Sequence, residues 1–174
     1  MHGIAAVALL PRNDKLGMNH PTPTKITTLG LVYKHPKILL GLKKRGFGEG
    51  RWNGYGGKVE ECETIEESLV REMQEESGIT PTKFEKRGVL YFEFKEIPDQ
   101  IYEVNVFSID KYDGEAVETE EMKPQWFDVN DLPWNEMWSD DIHWYPLFLE
   151  GKNFKGNFLF NGQEKIIRHE LEEI

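Results

Sequence analysis

Cysteine is nearly absent. Cys62 is the one thiol among 174 residues, so no disulfide forms within the chain and no CxxC zinc site exists. Long hydrophobic runs are also absent. None approaches the roughly 18 residues that a membrane-spanning helix needs, so no membrane partner is expected. Positive charge is in deficit: 21 Lys and Arg face 31 Asp and Glu, a net charge of −10, which argues against a general electrostatic grip on nucleic acid. The 5 histidines show no HxxxH or HExxH spacing, leaving a zinc enzyme unsupported. Proline and glycine, 9 and 16, are too few and too scattered for a low-complexity chain. What is present is enough to fold: 39% hydrophobic residues and 12% aromatics, at a length that suits one domain.

Residues 1–24 differ from the rest. The apolar stretch Gly3–Leu10 has no basic residue before it and no small-residue cleavage site after it, a poor fit to a secretory signal. Arg12 and Lys15 are few for a mitochondrial presequence, and Met18 offers a shorter start. The segment reads as a poorly ordered extension ahead of one domain over 25–174. A single thiol suits a reducing compartment, the cytoplasm first, with the mitochondrion and nucleus as alternatives.

From Lys25 the pattern is strand-rich. Ile26–Tyr33 and Ile38–Leu42 flank Lys34-His35-Pro36-Lys37, a hairpin signal. Residues 46–57 are glycine-rich and read as a loop. Thr64–Ser77 has Ile65, Leu69, Val70 and Met73 near helical spacing, a capping box in Thr64 and Glu67, and Gly78 to stop it. Strands are expected over Lys83–Phe94, Ile101–Ile109 and Trp126–Val129. A helix is expected over Asp140–Leu149 despite Pro146, and the chain closes in a hairpin around Asn161-Gly162. The sum is an α+β fold with a mixed sheet and two helices.

Charge is unevenly placed. Residues 42–58 carry a net +4 and residues 59–79 a net −7. Glu72, Glu75 and Glu76 stand at i, i+3 and i+4, so one helical face gathers mutually repelling carboxylates. A hard divalent cation, Mg²⁺ or Mn²⁺ and not zinc, would relieve that repulsion. An evenly solvated helix face is the simpler alternative.

The stretch Gly57–Ile79, GKVEECETIEESLVREMQEESGI, resembles the Nudix box Gly-x5-Glu-x7-Arg-Glu-U-x-Glu-Glu-x-Gly-U, with U a bulky aliphatic, at every specified position. The resemblance implies the Nudix fold, a mixed sheet between helices, and metal-dependent hydrolysis of a nucleoside diphosphate linked to another group. It implies that Glu72, Glu75 and Glu76 hold the metal with the Gly56 carbonyl, while Gly57, Glu63, Arg71 and Gly78 support the loop and helix. Lys43, Lys44 and Arg45 would add positive charge nearby.

Residues 41–60, Phe92-Glu93-Phe94, Glu121–Pro124 and Met137–Asp141 further resemble the branch of the family that hydrolyses oxidised purine nucleoside triphosphates. That likeness runs from about Lys25 to the C-terminus. It implies that Asn53, Asp140 and Asp141 read the purine edge and that Trp138 stacks on the base. Phe47, Phe92, Phe94, Met122 and Trp144 would line the walls, and Thr28 and Lys43 would lie by the sugar and the rim. Tyr55, Gly56, Gly57, Lys58 and Ser139 complete the expected substrate-binding set, and Glu121 would assist the metal cluster. Tyr55, Ser139 and His143 stand where Phe, Pro and Tyr are the norm in that branch, and the segment between Phe94 and Val104 is one residue longer.

The residues alone leave alternatives open. Ser139-Asp140-Asp141 also reads as a helix start, with Ser139 as cap and acids in the first turn. Trp126 and Trp134 read as core packing, and Cys62 as a passive packing residue. The expected activity is a Mg²⁺-dependent pyrophosphohydrolase acting on a small-molecule nucleotide, as a monomer. The competitors are a Nudix hydrolase for ADP-ribose, a dinucleoside polyphosphate or capped RNA, and a nucleotide-binding module without catalysis.

Overall fold

The computed structural model describes residues 22–174. The expected N-terminal extension lies, apart from residues 22–24, outside them. Strands β1 (Lys25–Lys34) and β2 (Lys37–Lys43) form the expected antiparallel hairpin, with Lys34 opposite Lys37. There follow β3 (Trp52–Asn53), α1 (Ile65–Ser77), β4 (Thr80–Phe94), β5 (Ile101–Asp113) and β6 (Met122–Asp128). A 3₁₀ turn at Trp134–Glu136 leads into α2 (Asp141–Leu149), and β7 (Phe154–Asn161) and β8 (Lys165–Glu173) close the chain.

The sheet is mixed, in the order β3-β2-β1-β5-β4-β7-β8, with β6 also on β2. The β1–β5 and β4–β7 pairs are parallel and the others antiparallel. Residues 28–32 of β1 are all buried, the mark of a strand covered on both faces. One face packs Leu29, Leu31, Leu90 and Val106 under Trp144, Tyr145 and Phe148 of α2. The other packs Val32, Leu39, Phe107 and Ile109 under Leu69 and Met73 of α1. This is the expected α+β sandwich.

Helix α1 forms where its caps place it. Thr64 Oγ1 accepts from the Glu67 N–H at 3.1 Å, and Glu67 Oε2 accepts from the Thr64 N–H at 2.8 Å. Gly78, at φ 76°, ends the helix by donating to the Gln74 carbonyl. The helix docks directly over Gly30. A Cβ there would overlap Met73 Sδ and lie 2.9 Å from Leu69 Cδ1, so this glycine sets how deep the carboxylate helix sits.

Several elements differ from the sequence reading. Strand β4 starts at Thr80, and β6 starts at Met122 because its polar Lys123-Pro124-Gln125 pairs along β2. The glycine-rich loop contains the short β3. Helix α2, by contrast, runs through Pro146 as expected, with Trp144, Tyr145 and Phe148 buried. Trp126 is not core: it is 38% exposed, because the alternation of β6 turns Phe127 inward onto Trp52 at 4.8 Å. Trp134, half-buried and edge-on to Tyr145, does pack against the core. Cys62 does not pack; it is exposed in a turn at φ 66°. Among the described residues, no helix is long and apolar enough to cross a membrane.

Candidate active site

A cavity of about 560 Å³ opens between β1, the glycine-rich loop, β4, β5 and the start of α2. Its walls are aromatic. Phe47, Phe92, Phe94, Trp138 and Trp144 line it, together with Met122, Asn53, Thr28 and Lys43. Phe92 stacks on Phe158 at 5.6 Å and Phe94 on Phe160 at 5.4 Å, so the inner wall is one packed layer of rings. Phe47 lies on Trp138 at 5.1 Å and edge-on to Phe94 at 5.8 Å. Phe47 is 54% exposed, which places it at the mouth.

Two carboxyls meet this apolar space. Asp140 and Asp141 are 4% and 2% exposed, and both line the cavity. Asp140 Oδ2 accepts from the Trp144 indole N–H at 3.0 Å, and Asp141 Oδ2 accepts from the Trp138 backbone N–H at 3.2 Å. Burial pushes both carboxyls above the usual range. The neighbouring Asp140 charge lifts Asp141 further, and the nearby Arg51 opposes both shifts. Ionising both carboxyls of the pair is therefore harder than ionising two free aspartates.

Ser139 does not cap α2. Asp140 holds the cap position without a side-chain cap bond, and the Ser139 hydroxyl is buried without a hydrogen-bond partner. Ser139, Tyr55 and Lys58 do not line the cavity. Tyr55 is wholly buried in the α1-side core and faces the opposite side of the sheet, while Lys58 is exposed on the loop before α1. The sequence reading missed Tyr102, Leu90 and Phe160, which do line it. Tyr102 and Val104 alternate along β5, and that period of two was the available signal.

The box lies against one end of the cavity. Glu76 is 2% exposed; its Oε2 accepts from the Gly56 N–H at 3.0 Å and its Oε1 faces Lys43 Nζ at 3.3 Å. Burial outweighs both partners and pushes the Glu76 carboxyl up to about 7. Burial also raises Glu72, against the pull of Arg71, with Glu75 and Glu121 adding repulsion. Arg71 forks onto Glu63 at 2.7 and 2.9 Å and reaches Glu72 at 2.8 Å and Glu75 at 3.3 Å. That fork holds the Glu63 carboxyl down at about 2. Glu121 lines the cavity and pairs with Arg45 at 2.9 Å.

Among the described residues, no three acidic, His or Cys side chains form a ready-made metal cage. Arg71 pairs with Glu63, Glu72 and Glu75, and Lys43 with Glu76, instead. The donor chemistry nonetheless fits a hard divalent cation: the oxygens are crowded, mutually repelling and in part buried.

Gly56 and Gly57 join the two halves of the site, because both line the cavity while touching the box. A Cβ on Gly56 would overlap the Thr28 carbonyl oxygen, and one on Gly57 would overlap the Glu72 carboxyl. Gly56→Ala is expected to cost about 1–3 kcal/mol, a melting temperature several degrees lower, and to lower turnover by displacing the N–H that holds Glu76. Thermal melts alongside steady-state kinetics check this.

Comparison with known proteins agrees with this geometry. The NUDIX domain family matches residues 24–148. The oxidized purine nucleoside triphosphate hydrolase of Danio rerio is 48% identical over 151 residues, covering 87% of this chain and 96% of that protein. Its namesake from Mus musculus is 46% identical with the same coverage. A MutT protein from Bacillus halodurans shares the fold with a TM-score of 0.76 at 24% identity, covering 85% of this chain and 97% of that one. With box, sandwich and relatives in agreement, the chain belongs to the Nudix family of hydrolases.

Proposed function

We propose that this Nudix hydrolase cleaves oxidised purine nucleoside triphosphates, 8-oxo-dGTP and 2-hydroxy-dATP foremost, to the monophosphate and pyrophosphate, and so clears them from the nucleotide pool. The alkylated O6-methyl-dGTP is a further candidate substrate. The observation that carries the reading is the buried Asp140–Asp141 pair inside an aromatic cavity whose other end is the box. The names of the zebrafish and mouse relatives support it.

The chain's own groups divide the work. Trp138 and Phe47 offer flat faces to a purine, contacts worth about 1–3 kcal/mol per base. Asn53 and the aspartates present polar atoms to its edge. Glu72, Glu75, Glu76 and Glu121, with the Gly56 carbonyl, would hold Mg²⁺ or Mn²⁺, which when bound neutralises phosphate oxygens and acidifies a water. Lys43 and Arg45 offset negative charge where the triphosphate crosses from base pocket to box, and Arg71 keeps Glu63, Glu72 and Glu75 in place. The protein acts as a monomer on a free nucleotide, in the cytoplasm and in mitochondria or the nucleus where those pools need clearing.

The test is kcat/KM with Mg²⁺ for 8-oxo-dGTP, 2-hydroxy-dATP, dGTP and ADP-ribose, with products resolved. Oxidised purines are expected to lead dGTP and ADP-ribose by at least about tenfold, releasing pyrophosphate. A lead for ADP-ribose would leave the hydrolase chemistry standing and overturn the base-pocket reading. Metal-dependent nucleotide binding without turnover would point to a binding module instead.

A further inference from the structure

Arg51 lies outside the box and does not line the cavity, yet it joins the cavity's Trp138 segment to the turn between β7 and β8. Its guanidinium sits over the Trp138 ring, 4.5 Å from the ring centre. Its Nη1 donates to the Met137 carbonyl at 3.0 Å, gripping the backbone just before Trp138. Its Nη2 pairs with Glu164, in the turn between β7 and β8. The Arg51 backbone is anchored in turn, since its carbonyl accepts from the Lys43 N–H at 2.9 Å. The side chain is 13% exposed while Glu164 is 74% exposed, so the ion pair runs from a largely covered guanidinium out to the surface.

The segment that Arg51 grips does two jobs. Trp138 provides the aromatic wall against which Phe47 lies, and its backbone N–H donates to Asp141. Gly48 crowds the same indole: a Cβ there would stand 3.0 Å from Trp138 Cζ2. The neighbouring Trp52 ties down the same stretch through Glu136 at 3.1 Å. A planar, five-donor cation suits such a place better than lysine, because it can lie flat on an indole and hydrogen-bond in its own plane at once.

We infer that Arg51, braced by Glu164, is the positioning residue of the base pocket, fixing the Trp138 ring and the Trp138 N–H to Asp141 so that an entering planar base meets a preformed wall. Through this arrangement the tip of the β7–β8 hairpin governs how tightly the base is held. The inference rests on the proposed base pocket and goes beyond it, because no residue of the hairpin turn belongs to the cavity lining.

The experiment compares wild type, Arg51→Met, Arg51→Lys and Glu164→Gln. It measures calorimetric affinity for 8-oxo-dGMP and for ADP-ribose, kcat and KM for the triphosphate, acrylamide quenching of tryptophan fluorescence, and melting temperature. Arg51→Met is expected to weaken base binding and raise KM by about tenfold, leave kcat within about threefold, and make Trp138 more accessible to quencher. Arg51→Lys should recover only part of the affinity, and Glu164→Gln should lose about threefold. Trp138→Phe identifies the quenching signal.

A folded Arg51→Met protein with native affinity, KM and quenching overturns the inference. A uniform loss of stability with equal falls in kcat and kcat/KM also overturns it, because that pattern belongs to a merely structural arginine. If wild type ignores 8-oxo-dGMP but binds ADP-ribose, the substrate reading fails, and Arg51 is then judged on ADP-ribose by the same tenfold criterion.

Discussion

Glu76→Gln is expected to lower kcat by about 10³-fold while the protein melts no earlier than wild type. Both halves follow from where the carboxylate sits. Glu76 is the most buried acid of the box, and the Gly56 N–H and Lys43 fix its two oxygens at the junction of cavity and helix. Glutamine keeps the shape and the Gly56 hydrogen bond but removes the charge. Stability moves the other way. The folded carboxyl titrates near 7, above its ordinary value of about 4.3, so the cost of ionising it in a covered place appears as pH rises from about 4 and is complete above about 7. In chelator, the variant should match wild type at pH 4 and exceed it by about 2–3 kcal/mol at pH 8. Thermal melts at the two pH values, run beside single-turnover kinetics with Mg²⁺, check both. A kcat within tenfold of wild type would move the chemistry away from the box.

Helix α1 was legible in the sequence because every signal for it is local. Thr64 and Glu67 cap each other across three residues, Gly78 needs only its own left-handed conformation, and Leu69 and Met73 repeat at one helical turn. The carboxylate face came with the helix. The elements that misread are those decided by distant partners. Strand β6 is polar in sequence and exists because β2 lies beside it, residue for residue from Lys37–Asp128 to Lys43–Met122. Trp126 faces outward because that pairing turns Phe127 inward, and no local pattern states which of two adjacent aromatics wins. Tyr55 sits one residue before the glycines that line the cavity, yet its bridge to Gly30 sends its ring to the other core. The proposed base pocket rests, at the level of sequence, on family resemblance alone. Arg51 carried no sequence signal, because its three partners lie 86 to 113 residues away.

The second large effect concerns the aspartate pair. Asp140→Asn and Asp141→Asn are each expected to change the ratio of kcat/KM for 8-oxo-dGTP over 2-hydroxy-dATP by about tenfold or more. The reason lies in the bases. Along the edge that normally pairs, 8-oxoguanine runs carbonyl, N–H, N–H₂, whereas 2-hydroxyadenine in its keto form runs N–H₂, N–H, carbonyl. A pocket for both must therefore exchange a donor for an acceptor. Two adjacent carboxyls sharing one proton can do so, because the protonated one donates and the ionised one accepts. The surroundings allow such sharing. Burial raises both groups, each charge opposes the other, and Arg51 together with the Trp144 and Trp138 N–H groups keeps one ionised form within reach. An amide at either position freezes half of the exchange. The pH behaviour carries the same sign. Both folded values lie above the unfolded value of about 3.9, so the stability cost of ionisation grows as pH rises from there, and each Asn variant should be more stable than wild type at pH 8 but not at pH 4. Wild-type kcat/KM should fall on the alkaline side as the pair loses its last proton. In the Asn variants that limb should flatten, since the amide N–H₂ cannot be lost. Unchanged substrate ratios in both variants, with the alkaline limb intact, would mean that the carboxyls brace the Trp138 turn and that the purine edge is read by Asn53 and the backbone.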